Sequence, residues 1–249
     1  MDLGIAGKRA AVAAASAGLG LGTARALAEA GVKVAICGRN AEKVEKAAAG
    51  IDGDVIPMVA DLSTPAAATE WVAAAAQQLG GAVDILVCNN GGPTPGNFKT
   101  TPLDAFPAAL DLSLNTTVAM CYAAIPAMQA QRWGRVLAIT SVSVRQPIPY
   151  LILSNTARAG VTGFLKTVAL EVAGDGVTVN TIQPGSHLTD RLGNLTSEAL
   201  DNLKKQTPTG TIGDPEDFGK IAAFLCSEPA KFITGASLSV DGGAYKALQ

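Results

Sequence analysis

A segment rich in hydroxyl groups, SVSVRQPIPYLILSNTARAG at residues 141–160, contains the side chains best suited to handle a polarised oxygen atom. Ser154 and Arg158 are four positions apart, so on a helix they lie on one face. A serine hydroxyl can orient a carbonyl but is a poor proton donor, and a guanidinium stays protonated to about pH 12. The pair can therefore bind and orient an oxygen, but it cannot relay a proton.

Two other residues are candidate proton donors. Tyr150 precedes Ser154 by four positions, so a helix would place its phenol on the same side, about 6 Å nearer the N-terminus. His187 has an imidazole, whose ordinary pKa near 6.5 suits an acid at neutral pH. The alternatives are an aromatic ring packed over a loop for Tyr150 and a solvent-facing side chain for His187.

A second candidate site is the glycine-rich stretch AAASAGLGLG at residues 13–22, between a predicted strand and a predicted helix. Small residues allow a close approach of the backbone to a pyrophosphate, and the N–H groups and dipole of a helix start attract its negative charge. Such turns also occur for packing alone, so the stretch by itself indicates a nucleotide site only weakly.

These residues need a scaffold, and the chain alternates short apolar runs with longer helical patterns. Near-continuous apolar runs predict strands of a parallel sheet covered on both faces, at 9–15, 32–37, 54–59, 83–88, 134–140, 176–182 and 236–240. Helical patterns occur between them, for example at 21–31, 41–50 and 64–80. The predicted fold is α/β, a doubly wound parallel sheet of seven strands flanked by helices.

Two irregular or weakly patterned segments directly follow predicted strand ends. They are NNGGPTPGNF at 89–98 and GSHLTDRLGNLTSEALDNLKKQ at 185–206. Ligands of open parallel sheets bind at the carboxyl ends of the strands. We expect both segments to form walls of a substrate cleft.

Composition favours one globular domain over residues 1–249 and a small-molecule partner. Apolar residues make up 48% of the chain and the net charge is −2 with scattered cations, so neither a nucleic-acid partner nor a membrane partner is expected. The four cysteines are far apart and there is one histidine, which predicts no metal site. We expect reduced thiols in a cytoplasmic protein without a secretory signal.

The spacing of Ala14, Gly18 and Gly20 resembles the TGxxxGxG fingerprint of the short-chain dehydrogenase/reductase family, with alanine at the first glycine. That change is modest if Ala14 has a negative φ, because only then does a Cβ fit without strain. Further motifs that resemble the family are ADL (60–62), CNNG (88–91), LSLN (112–115), QPGSHLTD (183–190) and ITGASLSVDGG (233–243). The similarity spans nearly the whole chain and implies a Rossmann-type fold.

The resemblance implies a dinucleotide cofactor. Its binding residues would be Ala14, Ser16, Gly18, Leu19, Gly20, Arg39, Asp61, Leu62, Asn89, Gly91, Arg158, Pro184, Gly185 and Thr189. Arg39 ends the second strand where family members that prefer NAD usually have a carboxylate, and a guanidinium suits a 2′-phosphate. We expect NADP(H), with NAD(H) less favoured; a solvated surface arginine is the alternative.

The resemblance also implies catalytic positions. A family serine falls on Ser141, the tyrosine thirteen residues later is replaced by Ser154, and the lysine four residues further on is replaced by Arg158. Asn115 falls on the active-site asparagine that holds a proton-relay water. A register with Tyr150 as the family tyrosine is rejected, because its partner four residues on would be Ser154.

The whole pattern is most similar to 3-oxoacyl-ACP reductases. It predicts an NADP(H)-dependent oxidoreductase for a carbonyl or alcohol substrate, with a divergent active site in which Tyr150 or His187 completes the proton path. The rivals are a non-catalytic NADP(H)-binding module and a lyase-like enzyme that uses the same pocket. By resemblance, we expect a homo-oligomer, a dimer or tetramer, formed through the helices after strands four and five and the C-terminal strand.

Overall fold

A computed structural model describes residues 1–193 and 195–248. Two residues lie outside this part: Asn194, which belongs to the predicted cleft wall at 185–206, and Gln249, the last residue of the predicted domain. It contains a seven-stranded, all-parallel sheet in the order β3-β2-β1-β4-β5-β6-β7. The strands are β1 Arg9–Val12, β2 Lys33–Gly38, β3 Val55–Val59, β4 Ile85–Cys88, β5 Gly134–Ile139, β6 Val177–Pro184 and β7 Ser237–Val240. The predicted fold class is confirmed.

Helices cover both faces of the sheet. They are α1 Gly18–Glu29, α2 Ala41–Ala49, α3 Pro65–Leu79, α4 Ala105–Leu110, α5 Thr116–Ala130, α6 Ile152–Val172, α7 Asp190–Gly193, α8 Ser197–Gln206 and α9 Pro215–Leu225. A π-helical segment, Asp111–Asn115, joins α4 to α5. Side-chain oxygens of Asn40, Thr64, Thr196 and Asp214 accept backbone N–H groups at the starts of α2, α3, α8 and α9, which explains why these helices begin where they do.

Two apolar clusters form the core, one on each face of the sheet. Trp71 of α3, Met120 of α5 and Leu165 of α6 belong to the first. Leu27 of α1 and Phe218 of α9 belong to the second. All four cysteines are buried free thiols. Burying both faces explains why the strands are nearly continuous apolar runs and not alternating patterns.

The ends of the elements differ from the predicted ones in two places that matter for the site. Strand β1 ends at Val12, three residues earlier than predicted, and α1 begins at Gly18 instead of residue 21. The predicted irregular wall at 185–206 contains α7 and α8. The order of the strands reverses between β1 and β4, so the loops after them diverge and open a crevice.

One helical stretch in the described residues, Ala105–Ala130, is long and apolar enough to pass a length-and-composition test for a membrane span. It comprises α4, the π-helical segment and α5. Met120, Cys121 and Met128 on it are buried in the core cluster that also contains α3 and β4 residues. We interpret the stretch as a helix that packs on the sheet.

Candidate active site

A cleft of about 980 Å³ lies at the carboxyl edge of the sheet, a size in the range of small-molecule and cofactor sites. Its walls come from the turn after β1, the ends of β4 and β5, the start of α6 and the segment after β6. Of the residues predicted to form the site, those that line it are Ala14, Gly18, Leu19, Asn89, Gly91, Ser141, Ser154, Arg158, Pro184, Gly185, His187 and Thr189.

The glycine turn leaves room for a ligand at the start of α1. The N-cap residue, Ala17, makes no side-chain hydrogen bond to the helix, so the first N–H groups receive no side-chain oxygen there. A Cβ added at Gly20 would lie 2.6 Å from the carbonyl oxygen of Ala14 and 2.9 Å from Nδ2 of Asn89. The side of the turn that faces the protein interior is therefore filled by Ala14 and Asn89. The side that faces the cleft is lined by small residues, which leaves room for a pyrophosphate group.

Ala14 does not have the negative φ that would let an alanine fit this turn without strain. Its φ is +47°, in the left-handed region, where a Cβ crowds the following carbonyl oxygen. The carbonyl oxygen of Ala14 accepts a hydrogen bond from Nδ2 of Asn89 at 3.1 Å. This contact joins the turn to the residue after β4, and the condition under which alanine would fit here without strain is not met.

Replacing Ala14 by glycine is expected to stabilise the fold by up to about 1 kcal/mol, because glycine relieves the left-handed strain at some cost in unfolded-chain entropy. Urea unfolding followed by circular dichroism measures the change. Ala17→Gly is the matched control in the same turn: its φ is −164°, so only the entropic loss applies. A destabilised Ala14→Gly variant would contradict the strain argument.

Arg158 lines the cleft, and its guanidinium is hydrogen-bonded to the protein. Its ribose-binding role stays a prediction from the family resemblance. Its side chain is 7% exposed. Nη1 donates to the carbonyl oxygens of Ile139 at 2.9 Å and Thr140 at 3.0 Å, at the end of β5. Nη2 donates to Oδ1 of Asn90 at 3.2 Å. The guanidinium thus joins α6 to the ends of β4 and β5, and these contacts give it a structural role.

Asn90 is a site residue that the sequence analysis did not select, although its neighbours Asn89 and Gly91 were selected. Its Oδ1 accepts from Nη2 of Arg158, from the backbone N–H of Gly92 at 3.0 Å and from the hydroxyl of Ser113 at 3.3 Å. The CNNG motif could have indicated Asn90 as well, because both of its asparagines directly follow β4. Which amide faces Arg158 depends on tertiary packing.

Ser113, rather than Asn115, is the residue of the π-helical segment that reaches this network. Ser113 is fully buried. Asn115 is exposed, does not line the cleft, and donates from Nδ2 to Oδ1 of Asp111 at 2.6 Å. Ser113 and Asn115 therefore face different sides of the π-helical segment. The water-holding role of Asn115 stays a prediction from the family resemblance.

The two serines predicted to bind the substrate oxygen both line the cleft. Oγ of Ser141, at the end of β5, accepts from the backbone N–H of Ser143 at 3.1 Å. Oγ of Ser154, in the first turn of α6, accepts from Nε of Arg158 at 3.2 Å. Both are half-buried. The sequence spacing of thirteen residues brings the pair into one cleft because α6 starts beside the end of β5.

Tyr150 is not on the helix that the proton-donor argument assumed. Helix α6 begins at Ile152, so the i, i+4 relation to Ser154 does not exist. Tyr150 has φ +64° and is 66% exposed, and its carbonyl oxygen accepts from the N–H of Gly96 at 2.7 Å. Its side chain does not line the cleft. The expectation that the phenol faces the same way as Ser154 is wrong.

His187 is buried in the cleft wall, which neither sequence-based alternative anticipated. Its ring meets Phe218 edge-on, with 5.1 Å between the ring centroids, and Nδ1 lies 3.2 Å from the carbonyl oxygen of Gly185. Burial lowers the pKa of His187, while the Gly185 carbonyl and Asp214 act in the opposite direction. The ring is therefore neutral at pH 7, and its contacts indicate a packing role.

The residues expected around the adenosine half of the cofactor lie along the ends of β2 and β3. A Cβ added at Gly38 would be 2.9 Å from Oγ of Ser16, so Ser16 lies against the end of β2, beside the exposed Arg39. Asp61 is exposed after β3, whereas the side chain of Leu62 is buried in the core. None of Ser16, Arg39, Asp61 and Leu62 lines the main cleft.

Fold and cleft together define a doubly wound α/β protein of the Rossmann type, with its ligand site at the point of strand reversal. A family model described as Enoyl-(Acyl carrier protein) reductase matches residues 13–245. The chain belongs to the short-chain dehydrogenase/reductase family, and its resemblance to 3-oxoacyl-ACP reductases is confirmed.

Individual relatives match over nearly their whole length. The chain is 31% identical over 239 residues to the 3-oxoacyl-[acyl-carrier-protein] reductase FabG of Rickettsia bellii, covering 96% of this chain and 97% of that protein. L-sorbose reductase from Gluconobacter frateurii, solved with NADPH and L-sorbose, superposes with a TM-score of 0.93 at 27% identity over 100% of both chains. A 7α-hydroxysteroid dehydrogenase, solved with NADH and 7-oxo glycochenodeoxycholic acid, has a TM-score of 0.91 at 28% identity, covering 100% of this chain and 98% of that one.

Proposed function

We propose that this protein is an NADP(H)-dependent oxidoreductase that interconverts a carbonyl and an alcohol in a small molecule. The observation that carries the proposal is the cleft itself, where the glycine turn, the ends of β4 and β5 and the segment after β6 converge. Its relatives include a reductase solved with NADPH and a dehydrogenase solved with NADH. These support a nicotinamide cofactor; the choice of NADP(H) rests on Arg39.

The cofactor, when bound, supplies the hydride donor or acceptor. The start of α1 with Gly18 and Gly20 would hold its pyrophosphate, because backbone N–H groups and the helix dipole favour negative charge there. Asn89 and the segment Pro184–Thr189 would form the walls nearer the substrate. A Cβ at Gly18 would lie 3.2 Å from Cγ2 of Thr189, so the two walls are already close.

The substrate oxygen would lie between the hydroxyls of Ser141 and Ser154. Positioning two reactants correctly can supply roughly 7–11 kcal/mol of barrier reduction, whereas general acid catalysis typically contributes 10² to 10⁴ in rate, about 3–5 kcal/mol. Loss of the family tyrosine therefore leaves the larger contribution available. We infer that turnover depends on orientation of the substrate more than on a side-chain acid.

The proposal is tested by titrating the purified protein with NADPH and NADH, followed by oxidation assays over a panel of ketones and aldehydes. Saturable NADPH binding with NADPH oxidation by at least one carbonyl is the expected result. Binding without any oxidation would favour the non-catalytic module. Turnover of a substrate without cofactor would favour the lyase-like enzyme, and no binding of either cofactor would remove the proposal.

Arg39 is expected to determine the preference for NADPH. Arg39→Met should weaken NADPH binding at least about tenfold, about 1.4 kcal/mol, and leave NADH binding nearly unchanged, because charge-assisted bonds to a phosphate are lost only with NADPH. Fluorescence titration measures both affinities. Lys46→Met, at the far end of α2, is the matched control for the loss of one charge. Equal weakening of both cofactors would contradict the assignment.

Exposed apolar side chains support the predicted oligomer. Tyr122 on α5 and Leu170 on α6 are 73% and 74% exposed, and Phe232 before β7 is 99% exposed. Large apolar groups at these positions are typical of surfaces covered by a partner. We propose a homodimer or homotetramer formed through these surfaces, in the cytoplasm. Light scattering after size exclusion should give two or four chains, and Leu170→Glu should lower that number; a wild-type monomer would contradict it.

A further inference from the structure

Two lysines of the cleft wall have no part in the reaction proposed above. Lys205, near the end of α8, and Lys246, in the segment after β7, both line the cleft. Both residues are exposed. Within residues 1–193 and 195–248, neither lysine forms an ion pair with a carboxylate. The two ammonium groups are therefore available to a ligand.

The carboxylates that are close to these lysines in sequence have other partners. Asp201 of α8 pairs with Lys204, whose Nζ lies 3.1 Å from Oδ1. The carboxylate of Asp241 accepts the backbone N–H groups of Gly243 at 3.0 Å and Tyr245 at 2.8 Å. Each carboxylate is thus engaged within its own segment, and the positive charge of the wall is left for the cleft.

The two segments that carry the lysines are joined to each other and to the sheet. The N–H of Thr209, just after α8, donates to the carbonyl oxygen of Gly242 at 3.2 Å. The guanidinium carbon of Arg145 lies 5.7 Å from the centroid of the Tyr245 ring, and its Nη2 donates to the carbonyl oxygen of Ser237 in β7 at 2.7 Å. These contacts fix the backbone beside both lysines, while their long side chains can adjust to a ligand.

The other charged groups of the cleft wall do not neutralise the lysines. Arg158 is a further cation, and it is hydrogen-bonded within the protein. Asp190 is the one carboxylate among the wall residues that the structure describes. It directly follows Thr189, which lies against the glycine turn. The end of the cleft formed by α8 and the segment after β7 therefore has cations and no described carboxylate.

Apolar side chains of the same cleft strengthen the effect of this charge. Ile148, Leu151 and Leu203 all line it. A cleft with charges of one sign and walls of low dielectric constant concentrates its field on the ligand, which raises the local concentration of an oppositely charged substrate.

We propose that Lys205 and Lys246 bind an anionic group of the substrate, a carboxylate or a phosphate, remote from the carbonyl or alcohol that reacts. Ammonium groups on flexible stems act as point charges without the planar fork of arginine, so they accept either anion. The two lysines would then determine specificity, favouring charged substrates over neutral ones of the same shape. This inference rests on the proposed function, because it concerns the substrate of the same cleft.

The test compares charged and neutral probes of similar shape by calorimetric titration, with and without NADP⁺. One pair is 4-oxocyclohexanecarboxylate and its methyl ester, and the other is dihydroxyacetone phosphate and dihydroxyacetone. The charged member of at least one pair should bind the wild-type protein about tenfold more tightly than its neutral partner. The pair that shows the larger preference distinguishes a carboxylate from a phosphate substrate.

Variants assign this preference to the two lysines. Lys205→Met and Lys246→Met should each lower it about threefold, a size typical of one exposed charge, and the double variant should abolish it. Lys246→Arg keeps the charge and should keep the preference. Lys204→Met is the matched control, because Lys204 is an exposed cation next to Lys205 that does not line the cleft; the preference should persist.

Three results would overturn the inference: no tighter binding of the charged member in either pair, a preference that survives in the double variant, or an equal loss in Lys204→Met. NADPH titration of the same samples separates the two proposals. NADPH binding without charge preference removes only the anion site, and charge preference without NADPH binding removes only the cofactor assignment. Weaker NADPH binding in the double variant would assign the lysines to the cofactor and overturn the inference as well.

Discussion

Replacing Gly22 by alanine is expected to lower the free energy of unfolding by about 3 kcal/mol, the upper part of the range for overpacking. The added Cβ would lie 2.2 Å from the carbonyl oxygen and 2.8 Å from the carbonyl carbon of Pro215. Helix α1 meets α9 there backbone to backbone, because a Cβ at Gly219 would also lie 2.1 Å from the carbonyl oxygen of Gly22. Neither helix can yield without moving its buried face off the sheet.

Helix α9 is held at that position by more than one contact. The side chain of Asp214 accepts the N–H of Glu216 at the start of the helix, and Arg25 of α1 forms an ion pair with Glu216. Phe218 and Ala222 of α9 are buried against the same core as α1. A shift of α9 would disturb all of these contacts together, which is why we expect a large loss.

Urea unfolding of Gly22→Ala and Gly163→Ala compares two helical glycines of opposite surroundings. A Cβ at Gly163 of α6 would have no atom within 4 Å. That variant should be stabilised by roughly 0.5–1 kcal/mol, because alanine loses less conformational freedom in a helix than glycine. A Gly22→Ala protein within 1 kcal/mol of the wild type would show that the helices separate easily.

Arg158→Met is expected to destabilise the fold by about 3 kcal/mol, because hydrogen bonds to a charged group each contribute about 1.5–3 kcal/mol and their loss is only partly compensated by water. The variant loses the bonds to Ile139, Thr140 and Asn90 described above, and the ends of β4 and β5 lose their link to α6. Thermal unfolding and urea unfolding measure the loss. Arg158→Lys should lie between the two.

Arg39→Met provides the reciprocal control. Arg39 is exposed after β2, so its loss should leave stability within about 0.5 kcal/mol of the wild type while weakening NADPH binding. Arg158→Met should do the opposite: it should lower stability and leave the ratio of NADPH to NADH affinity unchanged. A stable Arg158→Met protein that binds both NADPH and NADH more weakly would support the ribose-binding role that the family resemblance implied for Arg158.

Much of this molecule could be predicted from local patterns. Apolar runs separated by helical periods predicted seven strands in a doubly wound sheet, because burial on both faces requires that composition. The glycine spacing after β1 predicted where a ligand would approach, since only small residues allow that approach. Ser141, Ser154 and Arg158 were assigned to one site from the family resemblance, and all three line the cleft.

Tertiary structure alone decided which way the individual side chains face. Ala14 is held at positive φ by its contact with Asn89, 75 positions along the chain. Ser113 instead of Asn115 reaches Asn90, because the π-helical segment packs with one face inward. Arg158 donates to β5 and the loop after β4. Local sequence determines the period of an element, whereas a side chain's partners come from segments distant in sequence, so their identity is settled only when the sheet assembles.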